Sequence, residues 1–305
     1  MLRLLHYLRL RLTVGLIRLL MRLRRGPPKA HPARARTLAI PSRDPNRTIA
    51  AHLYLPPTAP SAGPLPTLVN FHGSGFVLPM HGSDAPFCAR AAQHAGHAVL
   101  DVRYRLAPEH PFPAALHDAL DAVAYARARP AEYDAARLSV AGFSAGANLA
   151  LVCAGVACEA RTFRSVLAFY PPCDLSVEPG EKAAPDAVVG KEKGIPAGLA
   201  RVFDACYMPE GVDRADARVS PRFAEVGRWP EEVVVLTGAG DTLALEAEAL
   251  AGRIEGEAEG VRVTRRRFEG VGHAWDKGAK EGSAEERATE ESYEMALDVL
   301  KRVVA

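Results

Sequence analysis

The 305-residue chain is short of several features that would settle its class at once. Its five cysteines (Cys88, Cys153, Cys158, Cys173, Cys206) are scattered, odd in number and without a Cys-x-x-Cys pair. They suggest neither a disulfide framework nor a thiolate metal site, and a reducing compartment is the default. No acidic residue precedes Asp44, while residues 1–43 hold eleven Arg and Lys; with a net charge of +2, the remainder carries about −9. An acidic body with no basic stripe disfavours nucleic acid as a partner. There is no uninterrupted run of ~20 apolar residues to span a bilayer, and no apolar core of a cleavable secretory signal. Internal repeats and low-complexity tracts are missing too. Histidine is scarce in one place: nine of the ten lie at or before His117, and His273 alone follows the middle of the chain.

What is present begins with a basic leader. Residues 1–25 read as a helix stopped near Gly26-Pro27-Pro28, with Arg11, Arg18, Arg22 and Arg25 on one side. Leu5, Leu8, Leu12, Leu16, Leu19 and Leu23 cluster on a separate face. Three readings stay open: a helix packed on the body or forming part of a lid, a membrane-surface helix, or an Arg-rich mitochondrial transit segment. The corresponding locations are cytoplasmic, membrane-surface associated, or organellar.

After the leader short apolar strands alternate with helices. Strands are expected at 37–40 and 49–55, in the apolar run that ends in glycines in "TLVNFHGSGF", and in "HAVLDVRYRL", "RLSVAG", "SVLAFYPP", "EEVVVLTGAGD" and "VRVTRRRFEG", with helices at 114–128, from 145 to about 158, at 243–255 and at 284–304. Residues 175–217 are polar, broken by Gly and Pro, and read as an insertion. The pattern predicts an α/β fold: a mostly parallel sheet covered on both faces.

The chemistry starts at "SVAGFSAGAN", residues 139–148, where Ser144 sits between Gly142 and Gly146 at a strand-to-helix turn. Serine is a poor nucleophile unless a base takes its proton and an acid orients that base. Where the serine occupies such an elbow, the acid and then the histidine follow it along the chain. That order leaves His273, in the glycine-flanked "GVGHAWD", as the base. Asp241 ends "VVVLTGAGD" at the carboxyl edge of a strand, where open sheets gather functional groups; the same residue would also serve as a helix N-cap. A dinucleotide loop is rejected, since Leu243 stands where the third glycine after Gly238 and Gly240 belongs. Donors for an oxyanion would be the backbone N–H of Ala145 and those of the glycine-rich loop "HGSGF", residues 72–76.

These strings, with "YRLAPEHPFPAA" at residues 104–115 as the most specific, resemble the hormone-sensitive-lipase-like branch of the α/β-hydrolase family, the fold-3 carboxylesterases and arylacetamide-deacetylase-like enzymes. Tyr170-Pro171 with Asp174, Ser220-Pro221 and the segment Asp241-x-Leu243-x-x-Glu246 extend the likeness over roughly residues 45–300. The resemblance implies an α/β-hydrolase fold with a helical cap built from the leader and residues 175–217. It implies a serine esterase without cofactor or metal, with Ser144 as nucleophile, His273 as base and Asp241 as orienting acid. Ser74, Gly75 and Ala145 would supply the oxyanion hole, and the partner would be a small-molecule ester of short to medium acyl chain or an acetylated compound. A receptor-like binder on the same scaffold, a membrane-associated lipase and an amidase are the alternatives; a homodimer is left open. Two residues depart from the family pattern: Ser74 replaces a glycine of His-Gly-Gly-Gly, and Phe143 stands where Asp or a small polar residue is common.

Overall fold

The computed structural model describes residues 2–24, 36–57, 63–186 and 194–304. Eight strands form one sheet: β1 (Arg36–Pro41), β2 (Thr48–Tyr54), β3 (Leu65–Phe71), β4 (Ala98–Val102), β5 (Tyr133–Phe143), β6 (Ser165–Phe169), β7 (Glu232–Gly238) and β8 (Arg262–Phe268). Their order is β1-β2-β4-β3-β5-β6-β7-β8. Only β2 runs against its neighbours; from β4 to β8 every pairing is parallel. The central strands read as near-continuous apolar runs because both sheet faces are covered. On one side lie α3 (Ala114–Arg127), α4 (Ala145–Val152) and α6 (Ala244–Glu257), packed on Val69, Val140, Val166 and Val235. On the other lie α2 (Ala85–Ala95) and α7 (Ala284–Arg302), packed on Leu68, Ala141, Leu167 and Leu236. Alternation along each strand thus feeds two cores.

The expected elements are present with ends shifted by up to four residues, and α4 gives way to a π-turn at Cys153–Ala157 where an unbroken helix is expected. One helix, α2, goes beyond the expected elements, and α5 (Ala197–Tyr207) falls where the helical cap is expected. In α2 the apolar side consists largely of alanine, which gives little periodic contrast to its sequence. In α5, which lies within the insertion, Phe203, Cys206 and Tyr207 are buried. The Gly26–Pro28 stop and parts of the Pro-rich loop and the insertion fall outside the described residues.

The leader forms α1 (Leu2–Arg24). It packs not through the six periodic leucines but through Val14, fully buried, which joins Val77, Ala107, Phe203 and Cys206, with Leu10 packed against them. Beside it Arg18 donates to the Val77 and Ala107 carbonyls (2.8–3.0 Å) and to Glu109 (3.0 Å). Glu109 of the "YRLAPEHPFPAA" string therefore anchors the leader, while its neighbour His110 is exposed. The leucines of the expected separate face point to solvent, Leu12 at 76% and Leu23 at 74% exposure.

Candidate active site

The carboxyl ends of four strands converge on one spot, where an open parallel sheet collects its functional groups. The loop after β3 carries Ser74 and Gly75, the turn after β5 carries Ser144, and the loops after β7 and β8 carry Asp241 and His273.

Ser144 has φ 51° and ψ −122°, a conformation that costs an L-residue energy and is held only by its surroundings. The flanking glycines are what allow it. A Cβ on Gly142 would collide with the Gly146 carbonyl, and one on Gly146 would collide with the Phe71 carbonyl. The turn is fastened by Ser144 N–H donating to Phe169 O (2.9 Å) and Asn148 N–H donating to Ser144 O (3.0 Å).

The loops after β7 and β8 are laced together, with Ala239 N–H donating to Phe268 O and Gly240 N–H to Val271 O, each 2.9 Å. Their approach needs Gly238, whose Cβ would lie 2.8 Å from Gly272 O. The lacing sets Asp241, fully buried, against His273: Nδ1–H donates to Asp241 Oδ2 at 2.8 Å. Asp241 Oδ1 meanwhile accepts from Leu243 N–H (3.1 Å), so the N-cap-like role and the orienting contact coexist in one carboxylate. On the far side of the ring Nε2 accepts from Ser144 Oγ at 2.9 Å. The Tyr170 ring meets the His273 ring edge-on, 4.9 Å between centroids, and limits its tilt. Ser144, Asp241 and His273 are brought together as a hydrogen-bonded chain.

Among the described residues no hydrogen bond is made by the N–H groups of Ser74, Gly75 or Ala145. The last is unpaired because it opens α4, and the first turn of a helix leaves its N–H groups free. The Ser74 hydroxyl is turned away from the site. It donates to Tyr104 Oη (2.6 Å) and accepts from Phe76 N–H (2.8 Å), while Tyr104 O–H donates to the His72 carbonyl (2.6 Å). His72 stacks on Tyr104 at 4.3 Å, and burial pushes its imidazole down to about 3, so the ring is neutral scaffold.

Phe203 of α5 covers Gly75 so closely that a Cβ there would strike its ring. It lines two cavities that meet at Ser144. One, about 60 Å³, is bounded by Ala145, Pro172, Leu175 and Leu243 and reaches Asp204, whose carboxyl burial pushes up to about 6. The other, about 300 Å³, runs past His273 and Ala274 between Leu78, Met80 and Ile195.

Several supports carry no signal in the sequence. Tyr170 O–H and Tyr293 O–H both donate to Asp276 (2.6 and 2.8 Å), and Lys277 Nζ donates to Asp276 and pairs with Asp84, each at 2.7 Å. These residues are separated by up to 209 positions, and only Tyr170 and Asp276 stand in strings quoted for the family likeness.

The chain was compared with known proteins. A family model described as an alpha/beta hydrolase fold matches residues 68–277. An ethyl acetate hydrolase of Pseudomonas putida is 31% identical over 87% of this chain and 81% of its own length. Esterase LipI of Mycobacterium tuberculosis is 36% identical over a shorter stretch, 48% of this chain and 46% of that protein. Among solved structures, a hyperthermophilic esterase from the archaeon Pyrobaculum calidifontis superposes with a TM-score of 0.73 at 30% identity, covering 89% of this chain and 87% of that one. The chain belongs to the α/β-hydrolase fold family, in its hormone-sensitive-lipase-like, fold-3 branch of carboxylic ester hydrolases.

Proposed function

We propose that the chain hydrolyses esters of small molecules, acetyl or short to medium in the acyl part, through an acyl-enzyme on Ser144. Oγ attacks the carbonyl carbon as its proton passes to His273 Nε2, and Asp241 stabilises the imidazolium through Nδ1–H. Charge developing on the carbonyl oxygen is met by the N–H groups of Ser74, Gly75 and Ala145, already oriented and without competing partners. His273 then protonates the leaving alkoxide, and a water molecule activated by the same ring releases the carboxylic acid.

The observation that carries this reading is the unbroken chain Ser144 Oγ, His273 Nε2, His273 Nδ1, Asp241 Oδ2, at 2.9 and 2.8 Å. Because His273 must protonate the leaving oxygen, the cavity beside it takes the alcohol, and the narrow cavity by Ala145 and Leu243 takes the acyl chain. We assign α1 and residues 175–217 as the cap; Phe203 and Ile195 from that region roof both cavities. A cap of this kind excludes water and shapes substrate choice.

Rates over p-nitrophenyl esters from acetate to dodecanoate test the assignment. A maximum among the short acyl chains, together with labelling of Ser144 by a fluorophosphonate, is expected. A maximum at the longest chains would remove the acyl-pocket assignment, and an unlabelled, fully active Ser144→Ala protein would remove the mechanism.

A second reading, contact of α1 with a membrane surface, is favoured by one observation: Leu5, Leu8, Leu12, Leu16, Leu19 and Leu23 are between 46% and 76% exposed on one side of a helix that has no acidic residue. Among the described residues no helix is long and apolar enough to cross a membrane. Flotation with vesicles containing anionic lipid, salt-sensitive and reduced in a Leu12→Ser/Leu16→Ser/Leu23→Ser variant, would support surface contact; no flotation would exclude it.

A further inference from the structure

Behind the loop of residues 72–76, on the side away from Ser144, a second group of chemical side chains comes together from three segments. The antiparallel register of β2 and β4 places His52 directly opposite Asp101, and cross-strand partners present their side chains on the same face. The turn preceding α2 folds His81 over the pair, with the His52 and His81 rings 4.2 Å apart. Asp101 is fully buried. Its Oδ1 accepts from Asn70 Nδ2 at 3.0 Å, whereas Oδ2 has no hydrogen-bond partner among the described residues. That oxygen lies 3.4 Å from His81 Nε2 and 3.9 Å from His52 Nδ1.

We propose that His52, His81 and Asp101 form a binding site for one divalent transition cation of the zinc type, separate from the esterase centre. Two imidazoles and one carboxylate are the donor set that borderline cations take, and a fourth position is left for water, since His52 is the half-exposed member. Ligands about 2 Å from a tetrahedral ion stand roughly 3.3 Å apart, close to the 3.4 Å spacing of His81 and Asp101; His52 is 3.9 Å from Asp101, and the three donor atoms all lie within 4.8 Å of one another, so His52 has to close on both. His81 Nε2 now contacts the Asp101 backbone carbonyl at 2.9 Å and would exchange that contact for the ion. Asn70 supplies the outer hydrogen bond that fixes a ligating carboxylate.

Charge points the same way. Three buried carboxylates, Asp84, Asp101 and Asp276, lie close together, and Lys277 pairs with Asp84 and Asp276. Asp101 is left with neutral donors, the Asn70 amide and the nearby Gly82 N–H, and with two imidazoles facing Oδ2. A buried carboxylate in that position gains from a cation more than from further neutral donors. The ion would tie the segment of residues 72–84 to β2 and β4, stiffening the support of the Ser74–Gly75 amides without touching substrate.

The test is calorimetric titration of chelator-stripped protein with zinc chloride, read beside thermal melting. Wild type is expected to bind about one equivalent and to melt at a higher temperature with the ion. His52→Ala and His81→Ala should each weaken binding about tenfold or more, and Asn70→Ala, which removes the outer hydrogen bond along with a longer one to Asp84 (3.3 Å), should weaken it between about tenfold and a hundredfold. His273→Ala should bind as wild type does. Absence of binding, affinity unchanged in both His52→Ala and His81→Ala, or loss of binding in His273→Ala, which would put the ion at the triad, each overturns the proposal. None of these readouts depends on ester hydrolysis, so the site and the esterase reading stand or fall separately.

Discussion

Lys277 Nζ lies 4.0 Å from the centre of the ring of Phe143, the residue immediately before Ser144. Phe143 also stacks on Phe169 with centroids 4.3 Å apart, inside a cluster that includes Phe87 and Tyr293. The side chain that departs from the family pattern therefore gives the core a large aromatic and gives a buried ammonium a π-face. The same ammonium pairs with Asp84 and Asp276. Replacing it as Lys277→Met keeps the volume but leaves two buried carboxylates unpaired, and such truncations cost about 3–5 kcal/mol. Urea unfolding of the variant measures this. A loss within about 1 kcal/mol would mean that the pairing contributes no more than a surface bridge.

The role proposed for Asp241 gives the sharpest kinetic expectation. Asp241→Asn preserves shape but presents His273 with an amide that can turn its N–H₂ toward Nδ1, favouring the wrong tautomer. A fall of about 10⁴-fold in kcat, with KM little changed, is expected. Ser144→Ala should lose at least as much while retaining the melting temperature of the parent. If Asp241→Asn keeps more than about a tenth of the parent kcat, the carboxylate is only capping α6 through Leu243 N–H.

Tyr104 holds the loop proposed as the oxyanion hole and lines neither cavity at Ser144. Its hydroxyl donates to His72 O and accepts from Ser74 Oγ. Tyr104→Phe strips the buried His72 carbonyl of that donor, a loss of about 1–3 kcal/mol in stability. The slackened Ser74 and Gly75 amides should lower kcat about tenfold while KM moves less than about twofold. A rise in KM at constant kcat would instead assign Tyr104 to the walls of the substrate site.

The mostly parallel sheet, the elbow and the choice of Ser144, Asp241 and His273 could be read from the chain because each rests on local constraints. Apolar runs mark strands buried on both faces, the two glycines mark a turn that admits no Cβ, and only one histidine follows the serine. What could not be read is what long-range packing creates. Asp84, Asp276 and Lys277 are ordinary polar letters until α2, α7 and the loop after β8 meet. His52 and Asp101 become neighbours only through the register of β2 with β4. The Ser74 hydroxyl could have faced the substrate, and only Tyr104, thirty residues away, turns it aside. The leader misleads in another way: its periodic leucines suggest the packing face, yet Val14 and Arg18 make the contacts.

That reversal makes Arg18 the residue on which the seating of α1 depends. Its guanidinium donates to two carbonyls and to Glu109 and is 20% exposed, whereas Arg11, which also reaches Glu109 at 3.3 Å, is 45% exposed. Charge-assisted bonds in a partly buried setting outweigh an exposed pair. Arg18→Ala should release α1, seen as cleavage of the leader by dilute protease at least about tenfold faster than in the parent. Arg11→Ala should change the cleavage rate less than about twofold. Equal rates in all three proteins would show that Val14 and its neighbours suffice.

Acid sensitivity follows from a histidine remote from the catalysis. His97, fully buried between α2 and β4, donates from Nδ1 to Ala95 O at 2.8 Å. Burial pushes its imidazole down from 6.5 to about 4. The unfolded chain therefore takes up a proton at this position near pH 6.5, whereas the folded chain does so only near pH 4. Between those values the unfolded state holds more protons, so stability contributed by His97 is complete above about pH 6.5 and drains away as pH falls toward 4. A shift of that size corresponds to about 3 kcal/mol. Other buried groups titrate in the same range, Asp84 and Asp101 with the opposite sign, so the comparison must be between wild type and His97→Gln under identical conditions. At pH 7 the variant should be the less stable of the two, having lost a fitted ring. Its disadvantage should shrink steadily on acidification and be smallest near pH 4, because the amide cannot take the proton. Denaturant midpoints measured at half-unit steps decide it: a gap that stays constant from pH 7 to pH 4 would mean that the imidazole gains its proton equally well in the folded protein.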